Sequence, residues 1–475
     1  MLRKLLSHAA IYGLAAQMPR IAGVLALPII TPFLTTTDYG VAGVVTAYVT
    51  VLGVVQSLGL SVVMVNAYVK HPTRYKWVWR QVGGLLSLWT LLFGLIFFAV
   101  LYFAIPQEAD EDRLQIALLF TVPTMLFTTA EVQSNLYYQL AQKPLWFAVR
   151  SVLAGMVAVG VNIYAIAYLR LGYMGWFYGN FFGLALAFIF SAYTTYYSLK
   201  LWPVFRVNLK QMREYLKVSL PVLPHYFASS MLITSDRLVL SAVKVPVPQI
   251  GLYSLAAIFG SYFNQLSVAV SEAANPFYLQ MLSRNNERYR LAARDLTFGL
   301  GAVFLVATFT GSIWMKEIFQ LLLRNQQLQV AYPIAVLLLM GYNFRPFYIV
   351  VNNLLLYQER TNQLWRISVA AVVGNIILSL LFVPVFGYKA AAFTTFAALM
   401  YMGYAGLWLK EFSLRSGARY YPFRWLSVHL LFTVLAYYGV ELSVGWKLAL
   451  TIFVLAVTAL LFSKYKSRFY HVSLT

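Results

Sequence analysis

Long apolar runs alternate with short polar separators along almost the whole chain. The runs fall near residues 10–33, 41–66, 81–105, 114–138, 146–169, 174–198, 218–242, 250–277, 296–315, 328–352, 367–386, 389–409, 425–440 and 446–463. Most approach or exceed the roughly 20 residues that a helix needs to cross hydrocarbon. The separators carry Gly, Pro or charge, as turns do. The pattern predicts an all-α polytopic membrane protein of about fourteen transmembrane helices. No separator exceeds about twenty residues, so no extramembrane domain is expected. The first run follows a short basic stretch with Arg3 and Lys4 and continues to Phe33. A signal peptide would have a shorter apolar region and a small-residue cleavage site, so this run reads as the first span.

Composition agrees with lipid as the solvent. The 475 residues are 61% hydrophobic and 11% charged, against about 45–50% and about 25% in soluble chains. A net charge of +21 would suit a nucleic-acid binder. The basic residues are instead spread among the separators, as the positive-inside rule requires, and no nucleic-acid partner is expected. With the N-terminus in the cytoplasm, the inner separators hold 26 of the 36 Lys and Arg, Lys143 and Arg150 among them, and the outer ones hold 7. That alternation predicts an even number of spans and both termini on the cytoplasmic side. The acidic cluster Glu108, Asp110, Glu111 and Asp112 falls on an outer loop. Trp77, Trp79, Trp146, Trp202, Trp365 and Trp425 read as interfacial belts. There are no cysteines, which removes disulfides, thiol nucleophiles and Cys-based metal sites.

The chain repeats itself. YQLAQKPLW at 138–146 matches YQERTNQLW at 357–365, and Gly155 matches Gly374 at the same spacing. Leu171-Gly172-Tyr173 matches Phe386-Gly387-Tyr388, each opening a new run. TTTDYGVAGVVTAY at 35–48 resembles VPQIGLYSLAAIFGSY at 247–262, each entering the second span of its half. These pairs predict an N-terminal six-helix lobe (1–200), a cytoplasmic linker (201–217), a C-terminal six-helix lobe (218–410) and two further helices with a cytoplasmic tail (411–475). Six is even, so the lobes would be pseudo-symmetric about an axis along the membrane normal, enclosing a central cavity. The first span carries Pro19, Pro28 and Pro32, and the seventh carries Pro221 and Pro224. Interrupted spans in corresponding positions of two halves point to a transport site.

Charged side chains inside spans are expensive and belong to function by default. Arg20 lies about eleven residues into the first span, roughly 16 Å deep at 1.5 Å per residue, and is the first candidate for a cavity cation. Arg237, beside Asp236, reads equally as a cavity group and as a locally paired or snorkelling one. Arg345, in YNFRPFY, is similar. Arg20, Arg237 and Arg345 are the expected substrate-binding residues. Glu131 and Asp236 are the expected ion-coupling carboxylates, with H+ or Na+ as the ion; Glu272 sits nearer the inner interface. Asn66, Asn162, Asn180, Asn264, Asn275, Asn352 and Asn353 could line a cavity or hydrogen-bond helices together. His225 beside Pro224 could titrate or simply be packed. No phosphate-binding loop, HExxH or GxSxG motif occurs, so an enzyme is not expected, nor any cofactor or metal. A gradient, or pull by downstream consumption, is left as the energy source.

With TPFLTTTDYGVAGVVTAY after the first span, six plus six spans and two more, the chain resembles the polysaccharide and O-antigen flippases of the multidrug/oligosaccharidyl-lipid/polysaccharide exporter superfamily. The resemblance implies alternating access by two lobes in the bacterial inner membrane, for O-antigen, capsule or exopolysaccharide synthesis. A cationic cavity would receive an undecaprenyl-diphosphate-linked oligosaccharide while the polyprenyl tail stays in lipid. Other polysaccharide-assembly membrane proteins are the expected partners. Rival readings are a cation-coupled multidrug exporter or a lipid II flippase of the same superfamily. A polysaccharide polymerase or ligase is a third class, but those usually carry a long outer loop, and a passive channel would need no broken helices.

Overall fold

The computed structural model describes residues 17–206, 209–284, 286–358, 361–410, 412 and 416–470. The basic N-terminal stretch with Arg3 and Lys4 and the side chain of His225 lie outside the described residues. All regular structure among the described residues is helical, and helices stand at all fourteen apolar runs. Among the described residues, eight helices are individually long and apolar enough to cross a membrane, and a bent pair would make a ninth. The protein is a multi-pass, all-α membrane protein.

The helices pack as two compact units. The first comprises Met1–Leu238 with Pro246–Gly251 and Leu322–Asn325. It contains α1 (17–30), α2 (Thr36–Gln56), α3 (Ser61–Lys70), α4 (Tyr75–Ala104), α5 (Arg113–Leu126), α6 (Thr128–Leu140), α7 (Pro144–Tyr168), α8 (Tyr173–Ser198), the short α9 (Leu209–Ser219) and most of α10 (Leu223–Ala242). Its core joins Val41 and Val45 of α2, Phe93 and Phe97 of α4, Ile116 of α5 and Phe177 of α8.

The TTTDYG motif is a double cap. The Asp38 carboxylate accepts from the Thr35 backbone N–H at 2.7 Å, and the Asp38 N–H donates to Thr35 Oγ1 at 3.2 Å, a capping box that starts α2. The other carboxylate oxygen accepts from the Tyr173 N–H at 2.8 Å, where α8 begins. One side chain thus satisfies orphan donors of two helices. Gly172 precedes with φ +52°, and its repeat equivalent Gly387 has φ +74°. Both halves therefore turn on a glycine in the left-handed region before the next helix.

The repeat also appears as a reciprocal contact inside the first unit. A Cβ on Gly40 would overlap the carbonyl oxygen of Val247, and one on Gly251 would overlap the carbonyl oxygen of Thr36. Gly40 and Gly251, like Thr36 and Val247, are 211 residues apart. Residue i meets j and j's equivalent meets i's, the relation a two-fold axis imposes. Small residues let the two backbones touch, as is usual where membrane helices cross. Nearby, the Arg324 N–H donates to Thr31 Oγ1 at 3.1 Å and Asn325 Nδ2 donates to the Leu34 carbonyl at 2.8 Å.

The second unit comprises Val239–Val245, Leu252–Leu321 and Gln326–Thr475. It holds most of α11 (Val247–Ser283), α12 (Glu287–Ile313), α13 (Met315–Leu322), α14 (Gln326–Tyr357), α15 (Thr361–Phe386), α16 (Ala390–Trp408), α17 (Pro422–Gly439) and α18 (Val444–Tyr470). The last two helices are built into its core. His429 of α17 is fully buried against Phe344, Phe347 and Trp425, with Tyr404 Oη 3.0 Å from its Nδ1. Lys447 of α18 is fully buried and donates to Glu317 at 2.6 Å, while Lys316 pairs with Glu441 at 2.7 Å. Trp314 Nε1 donates to Thr451 at 3.0 Å. Hydrogen bonds from Lys316 and Tyr332 hold the exposed Glu441 carboxyl below its ordinary value. That clasp is intact above the ordinary carboxylate range and loosens as pH falls through the lowered value.

Two expectations about aromatic belts change. Trp77, Trp146, Trp202 and Trp365 are exposed, as a belt requires, but Trp79 is fully buried, with its indole N–H donating to the Met64 carbonyl at 2.9 Å. Trp425 packs on Phe298, Phe347 and His429. In a bundle, an aromatic residue near a span end can face a neighbouring helix as readily as the headgroups.

The glycine crossing can be measured. Gly251→Val places a branched side chain against backbone and is expected to lower thermal stability in detergent by about 1–3 kcal/mol or more. Gly374→Ala is expected to leave the melting temperature nearly unchanged, since its added Cβ meets nothing within 4 Å. Equal melting temperatures for both variants would contradict the crossing.

Candidate functional site

The polar interior of the first unit is organised by a break in one span. α5 and α6 meet at Phe127 with a bend of 54°, and Pro123 lies inside α5. Proline removes a donor and clashes with the preceding turn, which lipid tolerates only if protein repairs the loss. Thr124 Oγ1 donates to the Phe120 carbonyl at 2.9 Å, and Thr90 Oγ1 of α4 donates to the Met125 carbonyl at 3.1 Å. The break starts a new helix, α6, with Glu131 in its first turn, where the helix dipole favours negative charge.

One helical turn further, α6 presents Ser134, Asn135 and Tyr138 to Arg150 of α7. The Arg150 guanidinium, 7% exposed, donates to Ser134 Oγ at 3.0 Å, to Ser191 Oγ of α8 at 2.8 Å and to Asn135 Oδ1. The rings of Tyr138 and Phe147 flank it at 5.7 and 5.5 Å. Thr194 Oγ1 lies 2.7 Å from Tyr138 Oη, and Thr195 donates to the Ala130 carbonyl at 3.1 Å. Much of the donor capacity of this guanidinium is therefore committed to protein. The one carboxylate that acts on it electrostatically among the described residues is Glu131. No direct ion pair joins them among the described residues, and Glu131 Oε1 is buried without a hydrogen-bond partner. One oxygen of this carboxylate thus has no donor among the described residues, although Arg150 acts on it electrostatically.

By charge pattern Arg150 belongs with the inner basic loop, and hydropathy alone does not reveal this cluster. Its partners lie on α6 and α8, 15 to 41 residues away, and a residue near the start of an apolar run looks the same whether it faces headgroups or neighbouring helices. The run of Ser134, Asn135 and Tyr138 on one turn was the available signal.

Arg20 lies on α1, half-buried, with Nη1 donating to Gln17 Oε1 at 3.3 Å. Its neighbour Pro19 fills the space left by Gly155 of α7. Asp236 of α10 is buried and accepts from the Arg237 backbone N–H at 2.7 Å. Arg237 is half-buried, and its Nε is buried with no hydrogen-bond partner among the described residues. Arg345 belongs to the second unit, at the step in α14 where a tight turn at Gly341–Phe344 resumes as Arg345–Tyr357. Its guanidinium stands 5.2 Å from the Tyr348 ring, and its Nε is also buried and unpartnered. Glu272 is exposed. Asn353 donates to Asn275 at 2.8 Å, so this pair joins α14 to α11. Among the described residues no group of three acidic or histidine side chains could hold a metal.

Residues 5–282 match the family model described as polysaccharide biosynthesis protein, more than half the chain. The protein belongs to that family. No curated protein matches this polysaccharide biosynthesis protein. Among solved structures it is similar to the lipid II flippase MurJ in an inward closed conformation, with TM-score 0.75 and 14% identity over 96% of this chain and 99% of that one. An inward-facing multidrug resistance transporter of the MATE family, in the MOP superfamily, gives TM-score 0.60 and 14% identity over 89% and 99%. A mutant of the Vibrio cholerae MATE transporter VcmN gives 0.55 and 12% over 87% and 97%. The shared feature is the fold of membrane flippases and transporters, and none of the three is an enzyme.

Replacing Arg150 with Ala removes its hydrogen bonds to Ser134, Asn135 and Ser191 along with the positive charge that Glu131 feels, and is expected to cost about 1.5–3 kcal/mol or more. The double variant Glu131→Gln, Arg150→Ala should lose less than the sum of the two single variants in a thermal-unfolding cycle. Additive losses would show that the two groups do not feel each other.

Proposed function

We propose that this protein is a flippase carrying undecaprenyl-diphosphate-linked oligosaccharide repeat units across the bacterial inner membrane by alternating access. Both termini would lie in the cytoplasm, and the product would feed O-antigen, capsule or exopolysaccharide synthesis. The observation that carries this reading is that Arg237 and Arg345, each within a predicted span, each have a buried N–H with no acceptor among the described residues. An unsatisfied cationic donor in hydrocarbon is costly, and a diphosphate oxygen answers it by charge and geometry. Arg20, half-buried on the first span, is a further candidate for the cargo's headgroup. Membership of a polysaccharide biosynthesis family and a fold shared with a lipid II flippase support a lipid-linked glycan as cargo. The headgroup could not cross unaided, since bare charge in a low-dielectric medium costs tens of kcal/mol in the Born limit.

One observation favours a second reading, a cation-coupled exporter such as the MATE transporters whose fold the chain shares. Glu131 keeps a buried oxygen open beside Arg150, as an H+ or Na+ site would. The two readings are compatible if the same carboxylate couples a gradient to glycan flipping, with Asp236 as a second candidate.

Deleting the gene is expected to leave lipid-linked repeat units on the cytoplasmic leaflet. Complementation with Arg345→Ala or Arg20→Ala should restore surface glycan at least about tenfold less well than wild type, the scale of one lost charge-assisted hydrogen bond of about 1.5–3 kcal/mol, with normal membrane insertion. Wild-type surface glycan in the deletion strain would contradict the flippase reading. Full complementation by an arginine variant would remove that residue from the site.

A further inference from the structure

α9 differs in kind from the spans around it. Met212, Leu216 and Leu220 recur every four residues, and Lys210, Arg213 and Lys217 recur three and four apart, so an apolar stripe runs beside a cationic one. Between 200 and 217 the chain carries Lys200, Arg206, Lys210, Arg213 and Lys217 against the single acid Glu214. The helix is fixed to the first unit. Gln81 Nε2 donates to Gln211 Oε1 at 3.2 Å, the Tyr215 hydroxyl donates to Gln81 Oε1 at 3.3 Å, and the Ser219 carbonyl sits in the space beside Gly59.

Along this pinned helix opens a groove of about 550 Å³, lined by Met212, Arg213, Leu216, Lys217, Leu220 and Pro221. Its walls are four apolar side chains and two exposed cations. Trp202 and Phe205, just before α9, and Val218 in its last turn are also exposed. Exposed apolar and aromatic groups beside cations are the composition of a helix lying at a membrane surface.

We propose that this groove holds one anionic glycerophospholipid of the adjoining leaflet. The phosphodiester oxygens accept from the Arg213 guanidinium and the Lys217 ammonium, and the upper acyl chain lies along Met212, Leu216, Leu220 and Pro221. A choline lipid carries its own cation next to that phosphate and is disfavoured by the same two residues. A soluble phosphate satisfies the charges but leaves the apolar wall uncovered. The lipid would fasten the segment between α8 and α10 to the membrane surface.

The test uses the full chain in detergent, titrated with phosphatidylglycerol or phosphatidylcholine, with bound lipid counted by native mass spectrometry and melting temperature followed in parallel. Wild type is expected to bind phosphatidylglycerol more tightly than phosphatidylcholine. The variant Arg213→Gln, Lys217→Gln should lose on the order of 30-fold in that affinity, the effect of two surface charges, with its phosphatidylcholine binding no weaker than that of wild type. Inorganic phosphate should not displace the lipid. Equal phosphatidylglycerol affinity in wild type and variant would overturn the proposal, as would full displacement by inorganic phosphate, which would mark a simple anion site. If the double variant does not fold, Lys217→Gln alone should still lose about fivefold, and no loss would overturn it. Binding is read without transport, so this outcome is independent of whether the protein is a flippase.

Discussion

Hydrocarbon offers no hydrogen bonds, so every polar group carried into the bilayer has to find its partner in the protein or in what the protein carries. That constraint orders this molecule more than any single contact. It explains why the break between α5 and α6 is stitched by Thr90 and Thr124, and why Arg150 is wrapped by Ser134, Asn135 and Ser191. It also explains why the buried Lys447 meets Glu317. Among the polar atoms buried without a partner in the described residues are three that belong to charges within the predicted spans: the Nε atoms of Arg237 and Arg345 and one oxygen of Glu131.

The same solvent shapes the backbone. Without a hydrophobic drive between helices, close approach of small residues does the joining. Gly40 and Gly251 let two repeat-related helix starts touch through carbonyl oxygens, and Gly172 and Gly387 make the same left-handed turn in each half. The halves are not copies in every detail. Gly155 is filled by Pro19, whereas its equivalent Gly374 faces open space. A duplicated fold has thus kept its joints and altered what packs on them.

Much of the fold was legible because hydropathy reports the solvent directly. All fourteen apolar runs coincide with helices, and the repeats seen in TTTDYG and in the two glycine turns reappear as geometry. The cap made by Asp38 was hidden, since its second partner, Tyr173, lies 135 residues away. The candidate site was legible only by depth. Glu131, Asp236, Arg237 and Arg345 could be picked out as charges within spans, but which of them are satisfied by neighbours depends on helix rotation, which hydropathy does not encode. For that reason Arg150 passed as a loop cation and Trp79 as a belt residue, although both are buried and hydrogen-bonded.

The most direct measurement is translocation in proteoliposomes containing the purified protein and a fluorescent undecaprenyl-diphosphate-linked oligosaccharide. Label on the outer leaflet is followed by an impermeant quencher or glycan-cleaving enzyme. Transfer between leaflets well above protein-free vesicles is expected, with an unlinked cationic dye left untransported. Folded, correctly inserted protein that moves the dye and leaves the lipid-linked glycan on its original leaflet would contradict the assignment.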